Sequence, residues 1–213
     1  MSRAEALDAG TVALVRFAAA IAEGDEAELL ERIDELRTAE TPAVWVEELL
    51  LQSLLMVGYP RTLVAMTHWR RVGGAAAPTS DPDADYARAA EWRRRGEATC
   101  AIVYGDHYRK LRQNVAALHP ALDAWMVGEG YGRTLSRPGL DLPRRELCVV
   151  AQTAVLDTPR QLHSHLRGAL NAGASVADVE ATLAAVHPLL TAAHWRRVRE
   201  LWAEVSAGRG GSD

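Results

Sequence analysis

Apolar residues in this chain recur at helical spacing almost everywhere, and that pattern decides most of what it can fold into. β-branched and aromatic residues never alternate with polar ones over a useful length, as a half-buried strand requires, and phenylalanine occurs once. Thr11 to Ala22 places Val12, Val15, Ala19 and Ala22 on one face and stops at Gly24. Asp25 is an N-cap for Glu26 to Ala39, whose stripe is Leu29, Leu30, Ile33 and Leu36. Thr41-Pro42, a cap followed by proline at the first helical position, opens Ala43 to Val57. That segment is apolar nearly all round and reads as a buried helix. Gly58-Tyr59-Pro60 breaks it, and Arg61 to Val72 restarts.

Helical patterns continue over Tyr86 to Val103, Asp106 to Leu118, Pro120 to about Gly128, and Asp141 to Leu156. Thr158-Pro159 opens a helix ending at Gly173. Ser175, with Asp178 three residues on, caps the next in an approximate capping box. After Pro188, Leu189 to Val205 closes the pattern. The expected fold class is all-α.

A pentapeptide recurs: His68-Trp69-Arg70-Arg71-Val72 returns as His194-Trp195-Arg196-Arg197-Val198, each copy after a proline-interrupted apolar helix. The helix order upstream of the two copies also agrees, so two pseudo-equivalent helical repeats are expected. Residues 1–73 form a degenerate N-terminal repeat and 86–207 a C-terminal one. Residues 74–85, within GGAAAPTSDPDAD, read as a flexible linker, and 208–213 as a disordered tail.

With 213 residues and a net charge of −4, the chain has no basic field for a phosphate backbone, so no nucleic-acid partner is expected. No apolar run approaches the ~18 residues of a membrane span. Met1 to Gly10 carries Glu5 and Asp8 and no apolar segment, so it does not read as a signal peptide. The expected compartment is the cytoplasm. Cys100 and Cys148 form no CxxC pair, so neither a metal site nor a dithiol is signalled. Cys148, among apolar neighbours, reads as a small buried hydrophobe.

Three residues stand out as site candidates. In the helix from Thr158, Leu162, Leu166, Ala169 and Leu170 form the apolar face. His165 lies beside it, whereas His163 points about 200° away and reads as a surface residue. Glu146 falls in the apolar stripe of the preceding helix, four residues from both Leu142 and Val150. A carboxylate there is costly unless paired. It is either an ion-pair partner of Arg145 or Arg167, or the group that orients His165 for proton transfer. The two helices form a hairpin joined at Asp157, with Glu146 and His165 about equally far from the turn, so the two side chains can meet. Arg137, in the rigid Arg-Pro-Gly-Leu loop, is suited to hold a carboxylate bidentately, or is a solvated structural arginine.

The stretch YGRTLSRPGLDLPRRELCVVAQTAVLDTPRQLHSHLRGALNAGAS, Tyr131 to Ser175, resembles the carboxymuconolactone decarboxylase family. Its RPGLD loop, R-E-L helix start and H-x-R-x-A-L-x-x-G helix carry the likeness. VEELLLQSLLMVGYPRTLVAM resembles the family's other segment, with its Y/F-G-x-P break. The wider superfamily contains alkylhydroperoxidase D-like thiol peroxidases, whose motif is Glu, eleven residues, Cys-x-x-Cys, three residues, His. In that register this chain reads Glu146, Thr158, Gln161, His165, so the carboxylate and imidazole remain and both thiols are gone.

The resemblance implies cofactor-free, metal-free decarboxylation of a lactone-acid or related small carboxylic acid. In that scheme Arg137 holds the substrate, His165 moves the proton and Glu146 orients it. The repeat alignment puts Glu31 or Arg32 where His165 would fall in the first half, so one site per chain is expected. The alternatives are a non-catalytic or regulatory helical oligomer on the same scaffold, and a thiol peroxidase, which the missing CxxC disfavours. The alanine-rich helices and the resemblance point to a homo-oligomer, a dimer, trimer or hexamer.

Overall fold

A computed structural model describes residues 7–73 and 76–208. The far end of the tail expected at 208–213 and the first two residues of the expected linker lie outside the described residues. Ten α-helices appear among the described residues, with no strand. They are α1 (Ala9–Glu23), α2 (Glu26–Thr38), α3 (Ala43–His68), α4 (Ala89–Tyr104), α5 (Tyr108–Leu118), α6 (Pro120–Trp125), α7 (Leu142–Val155), α8 (Pro159–Asn171), α9 (Val176–Val186) and α10 (Ala192–Ala207).

Local sequence sets most of the boundaries. Asp8, Asp25, Asp141, Ser175 and Thr191 each accept a backbone N–H in the first turn of α1, α2, α7, α9 and α10. Ser175 and Asp178 complete a reciprocal capping box. Within α3, Gly58 leaves helical geometry (φ 69°, ψ 179°), so the segment is two helices meeting at a kink. Ala43–Gly73 is long and apolar enough to cross a membrane by length and composition. The kink divides it into pieces shorter than the ~20 residues of a span, and Glu48, Gln52 and Ser53 are buried on its inner side.

One apolar cluster draws on both sides of the 74–85 segment. Phe17, Ile21, Ile33, Leu49 and Leu50 pack in the same core as Leu147, Val150, Leu166, Leu183 and Val198. α1 and α7 run through its centre; Ala13–Ala22 and Arg145–Val155 are buried except for Arg16. A smaller cluster of Cys100, Val103, Tyr131 and Leu135 joins α4 to residues 126–135.

The structure departs from the sequence reading in three places. The two HWRRV copies occupy opposite ends of their helices. His68 ends α3, and Trp69–Gly73 is a π-turn with Trp69 buried; the second copy starts α10. The pentapeptide match is therefore not echoed in local structure. The linker expected at 74–85 is folded at its far end. Pro82–Ala84 and Tyr86–Arg88 are short 3-10 turns, and Asp83 is buried with an oxygen accepting from Trp92 Nε1 at 2.8 Å. The helix expected to end near Gly128 runs further: Met126–Leu135 continues α6 as a π-helix. Gly96 and Gly132 explain that geometry: a Cβ on Gly96 would lie 1.9 Å from Val127 O, and one on Gly132 2.0 Å from Trp92 O. Only paired glycines let these two backbones cross so closely.

Candidate active site

α7 and α8 form the expected hairpin. Asp157 makes the turn with φ 49°, and Pro159 sits in the first turn of α8. Glu146 and His165 meet across it, with His165 Nδ1 2.8 Å from Glu146 Oε2. Glu146 is 0% exposed and His165 7%. Gly168, one turn along α8, makes room for this contact: a Cβ there would lie 2.6 Å from Glu146 Oε2 and 2.7 Å from Val103 Cγ1.

An ionised carboxylate only accepts, so Nδ1 carries the shared proton and Nε2 is the nitrogen left to work. Nε2 has no hydrogen-bond partner among the described residues and is not among their sealed polar atoms. Glu146 Oε1, by contrast, is sealed and unpartnered among them. A sealed, half-satisfied carboxylate costs stability, so the fold carries Glu146 at a loss.

Against the imidazole lies Tyr104, at the end of α4. Its ring meets that of His165 edge-to-face, with centroids 6.5 Å apart at 65°. Tyr131 packs edge-to-face against Tyr104, with centroids 6.0 Å apart at 76°. Burial pushes the Tyr104 phenol up to about 12 and raises that of Tyr131 as well. Tyr104 also lines a hollow of about 170 Å³ with Val103, His107, His163, Ser164, Arg167 and Asn171. Asn171 donates to Val103 O at 2.9 Å, tying the end of α4 to α8.

Arg137 is placed differently from the sequence expectation. Its Nε lies 2.9 Å from Glu48 Oε2, its Nη2 2.8 Å from Asp81 Oδ2, and its Nη1 3.3 Å from Asp83 Oδ2. Hydrogen bonding to Asp81, then to Glu48, holds its guanidinium above the ordinary range. Three carboxylates satisfy this fork, so Arg137 locks the loop to α3 and to the 81–83 turn, where a substrate carboxylate would have to displace one of them.

Arg145, 0% exposed, completes the lock. It bonds Glu48 Oε2 at 2.7 Å, Gln52 Oε1 at 3.1 Å and two backbone carbonyls. It therefore does not pair with Glu146, and neither does Arg167, which stands on the wall of the hollow. Glu48 was not singled out from sequence. It carried the same signal as Glu146, a carboxylate inside an apolar helix, with Gln52 one turn on.

His163 is half-buried and lines the hollow. Both thiols are sealed in the protein, and burial pushes Cys100 and Cys148 up to about 12. Neither is a thiolate at neutral pH, as peroxidase chemistry requires.

Residues 120–204 match the family model "Carboxymuconolactone decarboxylase family". The matched stretch holds α6 to α9, most of α10, and both Glu146 and His165. A comparison with curated proteins finds "Peroxisomal protein 2" of Schizosaccharomyces pombe (strain 972 / ATCC 24843), 29% identical over 139 residues. That match spans 63% of this chain and 63% of the relative, so less than two thirds of the relative's length is covered.

Proposed function

We propose that this chain is a carboxy-lyase-type enzyme that removes CO₂ from a lactone-acid or related small carboxylic acid, with no cofactor, as the family resemblance implies. The observation that carries the reading is the 2.8 Å contact between His165 Nδ1 and a fully buried Glu146. Glu146 fixes the ring and its tautomer, and Nε2 takes a proton from water and delivers it to the carbon that loses CO₂. A proton-transfer residue in that role contributes roughly 10²–10⁴ in rate. The name of the Schizosaccharomyces pombe relative states a compartment and no reaction, so the proposal rests on the dyad and on the family match.

The test is CO₂ release from carboxymuconolactone and a panel of small lactone-acids, with wild type and His165→Gln compared at equal melting temperature. The expected loss is at least about 10² in kcat. If no acid is turned over by wild type, or if the variant matches it, the reading fails. A second reading, a non-catalytic scaffold, is favoured by the low exposure of His165, and that negative result would support it. In either reading we propose a homo-oligomer, because Val44, Leu51, Leu55 and Leu63 leave an apolar strip exposed along α3.

A further inference from the structure

Arg167 of α8 and Glu204 of α10 face one cleft, away from the contact between His165 and Glu146, and neither charge is answered there. We propose that this cleft binds a small zwitterion of the ω-amino acid class, an anionic head joined to an ammonium by a short methylene chain. The inference is independent of the decarboxylase reading, since neither Glu146 nor His165 lines the cleft.

The cleft follows from spacing along α8 and from where α10 ends. His163, Arg167 and Asn171 recur every four residues and so share one face of α8. α10 packs on α8 and adds Glu204 and Val205 to the lining. The space is about 350 Å³, roughly twelve waters at ~30 Å³ each. Leu170 and Val205, both buried, supply apolar surface to it.

Two charges of opposite sign stand open on this space. Arg167 and Glu204 are exposed, and neither side chain makes a hydrogen bond or ion pair among the described residues. Glu204 lies in the last turn of α10, where the C-terminal carbonyls disfavour a carboxylate and favour a cation. Neither α8 nor α10 has a basic residue in its last turn to offset this. A cation is therefore the group that this end of the cleft lacks.

Arg167 sets the other end. Its guanidinium offers five N–H donors and no acceptor. The adjoining hollow of about 170 Å³ shares His163, Arg167 and Asn171, adds His107, and has no carboxylate on its wall. Two imidazoles and a guanidinium match an anionic head. Leu170 and Val205 suit the methylenes, which gain by leaving water. An inorganic anion would leave Glu204 unanswered, and a simple amine would leave Arg167 so.

Binding is read by NMR, from the His163 ring signals and the Glu204 backbone amide, in wild type, Arg167→Gln and Glu204→Gln. Both residues are exposed, so the variants are expected to melt within about 2 °C of wild type. The probes are γ-aminobutyrate and ε-aminocaproate, with butyrate and butylammonium as the two halves, all at constant ionic strength. At least one ω-amino acid is expected to saturate with a Kd of about 1 mM or below. It is expected to bind at least about tenfold tighter than either half, and each variant to lose that advantage.

No saturable shift with either amino acid overturns the proposal. So does either half binding as tightly as the whole molecule, or an affinity that either Gln variant leaves unchanged.

Discussion

Gly168→Ala tests how tightly the dyad depends on helix spacing. The new methyl would lie 2.6 Å from Glu146 Oε2 and 2.7 Å from Val103 Cγ1. Ordinary contact begins at about 3.4 Å, so Oε2 must retreat by about 0.8 Å and Val103 by nearly as much. Gly168 and His165 are three residues apart on one face of α8, so retreat from one is retreat from the other. The 2.8 Å bond then stretches to about 3.6 Å, beyond hydrogen-bond length. Overpacking a buried site of this kind costs roughly 1–3 kcal/mol, which in a domain of this size lowers Tm by about 2–12 °C.

Two measurements read the effect. Thermal unfolding gives the cost of the clash. The Nδ1 proton of His165, strongly downfield when bonded to a carboxylate, reports the contact by NMR without reference to any substrate. It is expected to move upfield or to exchange away in Gly168→Ala and to persist in Ser164→Ala, a change outside the contact. A Gly168→Ala protein that melts within about 1 °C of wild type and keeps the downfield signal would refute the reasoning, because the helices would then have slack that the geometry denies.

Two further outcomes follow from the polar lock around Arg137. Glu48→Ala leaves the fully buried Arg145 without a carboxylate, and should cost about 3–5 kcal/mol by urea unfolding; a loss under about 1 kcal/mol would show that Gln52 and the carbonyls suffice. Hydrogen bonding to Arg137 is the largest of the effects that hold Asp81 below its ordinary value of 3.8. A depressed folded-state value means that its stabilisation is complete above the unfolded value and is lost as pH falls through the folded one. The Tm difference between wild type and Asp81→Asn should therefore shrink steadily from about pH 5 to about pH 2.5, and a constant difference would contradict it.

The contact of Glu146 with His165 was legible because a carboxylate inside an apolar stripe and an imidazole beside one are anomalies of sequence periodicity. The hairpin arithmetic around Asp157 brought them level. Arg137 was misplaced for the opposite reason. A loop arginine looks free in one dimension, while its three carboxylates come from residues 48, 81 and 83, far away along the chain. The aspartates at 81 and 83 were read as linker because Pro, Gly and Asp dominate there, a composition that also builds short capped turns.

Helix identity, caps and the Gly58 break follow from the sequence alone, because hydrogen bonds within a few residues and the 3.6-residue period decide them. Which polar groups are spent and which are left free is settled only by tertiary packing. Glu48 and the glycines at 96, 132 and 168 acquire their roles from neighbours on other helices, where close approach of two backbones and removal from water set the energy of each group. Local spacing carries no record of those neighbours.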